Sequence, residues 1–391
     1  MAAINILAFS GEYLPGYKGG GPIRTLANMV DHLGEDFSFH IIAGDRDLGD
    51  LDPYPGVITD SWQTVGKARV YYLSSENRSM KALGELINST PHDIIYLSSF
   101  FSPVFTIKPL ILRRRGLIPR VPLLIAPRGQ FSSGAMKIKM RKKLFYLTLS
   151  KRLGLFKQVV WQASSPYEKE DILRCMGSSV NIWVAPDLPL LPPTGVDSRR
   201  EGESPREKAP GLLKVIFLSR VSPMKNLKGA LEILKDTDGK IQLDIVGPLE
   251  DQDYWGECQK IIRGMPENIT VGYKGTLPHD QVTSTFKEYH LFFLPTLGEN
   301  FGHVILESLA AGCPVLISDR TLWRDLEKNG VGWALPLENP GLFREALETM
   351  VAMEGKTHRQ MSQRAVEYGL RFCRDESILE KNRQLFIQCL G

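Results

Sequence analysis

Residues 291–318 read LFFLPTLGENFGHVILESLAAGCPVLIS. Leu291 to Leu294 has the length of a buried strand and no polar alternation. Pro295 to Phe301 holds the turn formers that end such a run. Gly302 to Ala311 returns apolar residues at helical spacing, Gly312 stands where a helix C-terminal glycine is expected, and Pro314 to Ile317 is again a strand. Strand, loop, helix and strand in this order make a parallel βαβ unit. The loop carries Glu299 and the helix carries Glu307, with seven residues between them. The amides of Asn300, Phe301, Gly302 and His303 open the helix, where unpaired N–H groups and the helix dipole favour anions. Gly302 allows a ligand close to the backbone. A carboxylate on the loop suits sugar hydroxyls, and the deeper one suits a ribose diol. Two helical glutamates alone are usually a solvated face, so the rest of the chain has to decide.

The same alternation extends in both directions. Toward the C-terminal half, strand-like runs are Leu213 to Leu218, Ile241 to Val246 and Ile269 to Tyr273. The closing segments, about Asn339 to Met353, His358 to Leu370 and Asp375 to Cys389, are helical in period. Further toward the N-terminus, runs appear at Ile4 to Phe9, Phe37 to Ala43, Val70 to Leu73, Ile94 to Leu97, Pro122 to Ala126, Val159 to Ala163 and Ile182 to Ala185. Ile23, Leu26, Ala27, Val30 and Leu33 share one helix face. Ser165, Pro166 and Glu168 supply an N-cap, a first-position proline and a capping-box acid. Between the halves, prolines and charges replace the apolar pattern, which marks a linker. The expected order is residues 1–190 as an N-terminal Rossmann-like acceptor-binding domain and 191–211 as linker. Residues 212–372 form a C-terminal Rossmann-like donor-binding domain, and 373–391 a helix packing back on the first. A chain of 391 residues exceeds what one core usually holds, which agrees with two domains.

The string from Pro295 to Ser318 resembles family 4 retaining glycosyltransferases, also called glycosyltransferase group 1. Their signature is E-x7-E followed by a small-residue helix end and G-x-P-V. The resemblance implies the GT-B architecture: α/β, two Rossmann-like doubly wound parallel-sheet domains facing across a cleft. It also implies transfer of a sugar from a nucleoside-diphosphate sugar to a hydroxyl acceptor. Two further segments sit where that family has them. Ser219 to Asn226 (SRVSPMKN) follows the first strand of the second domain. Arg220 and Lys225 place a fork donor and a point charge on one loop. The resemblance implies that both hold the donor diphosphate. Gly19-Gly20-Gly21 follows the first strand and opens the first helix. A glycine-rich turn there can wrap amides around a phosphate, and in similar enzymes Gly20 and Gly21 approach the donor from the N-terminal domain.

Glu299, Arg220 and Lys225 are therefore the candidate catalytic residues. Glu307, Asn300, Phe301, Gly302, Gly20 and Gly21 are the candidate donor-binding residues. One position departs from the family. Many relatives carry a histidine on the loop that here reads Ala126 to Ser132, and Arg128 stands in its place. Arg128 reads either as an acceptor or phosphate contact, or as a plain strand-end arginine. Asp45-Arg46-Asp47 matches the short D-x-D metal motif of other glycosyltransferases. The two-domain enzymes use arginine and lysine against the diphosphate instead, so neither a metal nor a resident cofactor is expected.

A cluster from Lys137 to Arg152, interleaved with Leu144, Phe145, Leu147 and Leu149, reads either as a solvated helix or as a contact for an anionic membrane surface or a diphosphate lipid. The expected partners are a nucleotide-sugar donor and a carbohydrate or lipid-linked acceptor, with peripheral association at an anionic membrane surface and no nucleic acid. The net charge of +4 alone makes no case for nucleic acid. Five scattered cysteines without a CxxC pair and an N-terminus lacking a basic n-region lead to the expectation of a cytoplasmic protein, peripheral at the inner membrane face. Two rivals are an oxidoreductase or epimerase, which lacks the G-x-G-x-x-G it would need, and a non-catalytic sugar-nucleotide binder. Uridine and guanosine diphosphate donors are both compatible.

Overall fold

The computed structural model describes residues 4–190 and 207–390. The chain divides into two compact units: Met1–Leu191 with Asp375–Gly391, and Pro192–Arg374. Of the stretch read as a linker, residues 191–206 lie outside the described residues. Lys208 is buried, and its ammonium donates to the carbonyls of Val351 and Met353 at 3.0 and 3.2 Å, so the chain there is already part of the second unit.

The first unit is built on β1 (Ile4–Phe9), β2 (Phe37–Gly44), β3 (Trp62–Val65), β4 (Ala68–Leu73), β5 (Ile94–Leu97), β6 (Leu123–Ile125), β7 (Val159–Ala163) and β8 (Asn181–Val184). Their order in the sheet is β3-β4-β2-β1-β5-β6-β7-β8. Among the described residues, only the β3–β4 pair of this sheet is antiparallel. Strand β3 escapes the sequence reading because WQTV is half-polar and lies on an edge, where no second face demands apolar residues. The central strands β5 and β6 are buried throughout. Phe100, Phe131 and Trp161 pack beneath them with ring centroids 4.5–6.0 Å apart.

The C-terminal helix Glu376–Leu390 belongs to this unit. Phe386 packs against Phe37 and Tyr96 at 5.3 and 5.7 Å. Asn382 is fully buried and donates to the carbonyl of Pro186 at 2.7 Å. Arg383 reaches Asp36 at 2.8 Å. Burying an aromatic ring of this kind contributes about 1.5–3 kcal/mol, which anchors an element far away in sequence.

The second unit is built on β9 (Leu212–Leu218), β10 (Lys240–Val246), β11 (Ile269–Tyr273), β12 (Leu291–Leu294), β13 (Val315–Ser318) and β14 (Gly332–Leu335). The order is β11-β10-β9-β12-β13-β14 with every pair parallel. This is the doubly wound arrangement, and its order reverses between β9 and β12. Strand β14, with sequence GWAL, is too short to stand out as an apolar run. Residues 291–318 form β12, a loop, the helix His303–Ala310 and β13, with the helix one residue shorter at each end than expected.

Candidate active site

Ligands of doubly wound sheets sit beyond the carboxyl ends of the strands at the switch point, because loops leaving neighbouring strands diverge there. In the second unit these are the loops after β9 and β12. After β9 the chain makes a short turn, Pro223–Lys225, and enters the helix Leu227–Lys235. Asn226 joins the two in a left-handed conformation, φ 58°. Its carboxamide oxygen accepts from the Gly229 amide at 3.3 Å, and its nitrogen donates to the Pro295 carbonyl at 2.8 Å. The Leu297 amide and the Thr296 hydroxyl both donate to the Met224 carbonyl, at 2.9 and 3.0 Å. The Glu299 amide donates to the Arg320 carbonyl, after β13, at 3.1 Å. Two main-chain bonds and the Asn226 and Thr296 side chains thus stitch three strand-end loops together, and they bring Lys225 and Glu299 into an ion pair with side chains 11% and 15% exposed.

Arg220 leaves the same β9 loop and donates to Glu250 at 3.1 Å. Glu250 lies after β10, and that loop is pressed against Arg220's. Val221 donates to the Pro248 carbonyl at 2.8 Å, and Glu250 donates back to Val221 at 3.2 Å. Gly247 makes this approach possible: at φ 139°, a Cβ would stand 2.0 Å from the Ser219 carbonyl oxygen. Glu307 is paired with His279, whose Nε2 lies 3.0 Å from its carboxylate. His279 opens a short turn, His279–Gln281, in the connection after β11.

Gly302 caps the helix His303–Ala310 at φ 78°, ψ 59°. Its carbonyl accepts from Ile305 at 2.8 Å, so the helix starts there. Phe301 is 2% exposed. Its ring packs on Trp323 and Phe372 at 5.8 and 5.6 Å, and its carbonyl accepts from the Trp323 indole at 2.7 Å. The Phe301 side chain and carbonyl therefore anchor the loop to the core, and the donor-binding role expected of this residue falls to its amide. Asn300 and Glu307 are half-buried on either side of this anchor.

In the first unit, Gly20 precedes the helix Gly21–Leu33, donating to the Tyr17 carbonyl at 3.0 Å and accepting from Arg24 at 3.3 Å. A Cβ on Gly20 or Gly21 would meet no atom within 4 Å, so this turn borders open space. Asp47 shapes it: one carboxylate oxygen accepts from the Tyr17 and Lys18 amides at 2.8 and 3.1 Å, and the other from Leu48 at 2.9 Å. Asp45 is gripped by Arg46, twice at 2.9 Å, and by Arg78 at 3.0 Å. Burial opposes its charge, but the two arginines hold its pKa below the ordinary value. Both carboxylates of the D-x-D match thus serve loop structure.

Arg128 follows β6 at φ 55°, with its side chain 4% exposed. The guanidinium donates to Asp187 and to the Tyr96 hydroxyl and lies 5.9 Å from the Tyr96 ring centroid. Asp187 also accepts from the Thr25 hydroxyl at 2.9 Å, and Tyr96 donates to Gln162 at 2.8 Å. Burial disfavours the charge, and the adjacent carboxylate outweighs it, so the pKa is raised. Arg128, expected as an acceptor contact, is here a buried strut of the first unit.

Several partners escape the sequence reading. Glu250 could have been flagged by Gly247-Pro248, a turn dipeptide directly after a strand. His279 and Asp187 have no local signal, since each meets its partner only through the fold.

Residues 199–368 match the family described as glycosyl transferases group 1. The sulfoquinovosyl transferase SQD2 of Arabidopsis thaliana is 30% identical over 102 residues, which is 26% of this chain and 18% of that one. The alpha-monoglucosyldiacylglycerol synthase of Streptococcus pneumoniae is 24% identical over 157 residues, 39% of this chain and 35% of that one. The chain thus spans well under half the length of these relatives. Over 98% of this chain and 99% of the other, the fold is similar to that of Anabaena HepE, solved in complex with UDP and glucose, at TM-score 0.68 and 15% identity. Residues 199–368 are thus similar to the glycosyl transferases group 1, and the two α/β domains have the GT-B fold.

Proposed function

We propose that this protein is a metal-independent, retaining hexosyltransferase. It moves a sugar from a nucleoside-diphosphate sugar to a hydroxyl acceptor, in surface polysaccharide or lipid-linked oligosaccharide biosynthesis. The observation that carries this reading is the stitching of the β9, β12 and β13 loops, which sets Lys225 against Glu299 at the switch point of the second unit. The Anabaena neighbour's complex with UDP and glucose supports it by fold likeness.

In this reading the second unit holds the donor. Arg220 and Lys225 exchange their present carboxylate partners for the diphosphate and stabilise the charge that grows on it as the glycosidic bond breaks. The amides at Gly302 and His303 add helix-terminus stabilisation. Glu299, released from Lys225, orients the sugar and faces its developing positive charge. Glu307, held by His279, takes the ribose diol. The acceptor oxygen bonds to the anomeric carbon on the face the phosphate leaves, and the departing phosphate oxygen takes the acceptor's proton. The first unit is assigned to the acceptor, and the turn at Gly20 and Gly21 is its candidate phosphate contact. No resident cofactor is required.

The test is calorimetric titration of UDP, GDP, ADP, CMP and NAD into the wild type and into Arg220→Ala/Lys225→Ala. Selective binding of one nucleoside diphosphate, lost in the double variant, is the expected result and names the donor base. Binding of NAD, or of no nucleotide, overturns the reading.

A further inference from the structure

Residues 94–167 hold fourteen lysines and arginines and no aspartate or glutamate. The whole chain has 48 cations and 44 acids, so everything outside this stretch carries 34 cations against 44 acids. The modest net charge therefore hides a strong local bias on an otherwise acidic protein. Among the described residues, Arg128 alone of the fourteen is paired with a carboxylate. Others are held by main-chain carbonyls, which leave the charge in place. Arg113 donates to Lys157 and Arg114 to Leu153, both at 3.0 Å, fastening the end of the helix Lys108–Arg114 to the turn after the helix Met140–Arg152.

That second helix buries only Leu147 and Ser150. Its outer side does not sort into a polar stripe. At 100° per residue, Arg141, Phe145 and Arg152 lie near the outermost line with Leu144 and Leu149 on its flanks. Phe145 is 70% exposed, and Ile138, Met140, Leu144, Leu149 and Leu153 are exposed beside it. Single exposed apolar residues are ordinary, but six within sixteen consecutive residues form a patch. Cations interleaved with large apolar side chains match the headgroup boundary of an anionic bilayer, where the rings and leucines enter the acyl region and the basic side chains stay at phosphate level. A nucleic acid would meet the cations and leave Phe145 and the leucines in water. No helix among the described residues is long and apolar enough to cross a membrane, so the contact is made from one side.

We infer that the outer face of the helix Met140–Arg152, with Ile138 and Leu153 at its ends, docks on an anionic lipid bilayer. This deepens the proposed function by naming the surface where a lipid-linked acceptor is met, and it rests on that reading only for the acceptor.

The test is flotation of the full chain with vesicles of phosphatidylcholine alone and of phosphatidylcholine mixed with phosphatidylglycerol. The wild type is expected to float with the mixed vesicles only, and less so as salt is raised. Arg141→Ser/Lys142→Ser/Arg152→Ser should weaken that binding about a hundredfold. Leu144→Ser/Phe145→Ser should weaken it too, although no charge is lost. Tryptophan emission from Phe145→Trp should shift to the blue on mixed vesicles. All substituted side chains are exposed, and circular dichroism checks that the variants fold. Equal flotation with both vesicle types, unchanged flotation of either variant, or preference of the patch for duplex DNA over mixed vesicles overturns the inference. Nucleotide binding measured on the same variants keeps the outcomes separate. Its loss in the wild type would sink the transferase reading alone, and absent flotation would sink the docking surface alone.

Discussion

Two cation–carboxylate pairs occupy strand-end loops of this protein, and they do opposite work. Arg128 and Asp187 lie inside the first unit, 4% and 2% exposed, with Thr25, Tyr96 and Gln162 closing the network around them. Lys225 and Glu299 lie at the switch point of the second unit, on loops whose main chains are bonded to one another, with their side chains less deeply covered. In the first pair the side chains are the structure. In the second, other bonds hold the loops together, and in the proposed function the side chains exchange partners. A charged residue at a strand end has both futures open, and its remaining hydrogen bonds decide between them.

The largest effect expected from this contrast is on Arg128. Arg128→Ala leaves Asp187 buried without its partner and should cost about 3–5 kcal/mol of stability, read by denaturant unfolding. Arg128→Met/Asp187→Leu should recover much of that loss. If Arg128→Ala keeps full stability and loses only activity, the two pairs are alike after all.

Lys225→Ala should do the reverse. Sugar transfer should fall by about 10²–10³ in kcat, as when one preorganised donor to a developing anion is removed. Its unfolding midpoint should move little, because Asn226, Thr296 and Leu297 keep the loops joined. A large loss of stability would make Lys225 a strut like Arg128.

Gly302→Ala probes the frame of the second pair without touching its charges. At φ 78° an alanine is strained, and its Cβ would stand 2.8 Å from Ile305 and 3.0 Å from Glu299. The expected cost is about 1–2 kcal/mol, with nucleotide affinity falling alongside. Unchanged affinity would show that the helix start is not part of the donor site.

The smallest effect compares the units by pH. Burial lowers the pKa of His32 in the first unit and of His358 in the second, each beside a carbonyl at 2.9 Å. The unfolded chain then binds protons that the folded chain resists. Stability should be full above the ordinary histidine value of 6.5 and fall as pH drops below it, by at most about 1.4 kcal/mol per pH unit for each group. Thermal unfolding of wild type and His358→Gln between pH 8 and pH 5 checks this; an equal slope in both would remove His358 from the account.

Much of the fold could be read in advance because buried parallel strands write themselves as short apolar runs, and all but β3 and β14 did so. Those two are a half-polar edge and a four-residue strand, which carry weak periodic signals. The acids and cations of the candidate site were legible for a different reason: Arg220, Lys225 and Glu299 stand on loops after strands and Glu307 stands on the following helix at fixed spacing, and spacing is a property of sequence. Phe301 shows the limit, since the same motif position supplies a core anchor whose ring is buried against Trp323 and Phe372.

The sequence by itself determined the alternation of strands and helices, the two-part division of the chain and the residues stationed at the strand ends. These depend on neighbours a few residues apart, through periodicity, capping and turn chemistry. Only the tertiary structure decided which charges pair. Arg128 and Asp187 are 59 residues apart, Lys225 and Glu299 are 74 apart, and Asn382 reaches Pro186 across 196. Whether a charge is buried, paired or left at a loop mouth depends on which loops the sheet order brings side by side, and local sequence does not carry that information.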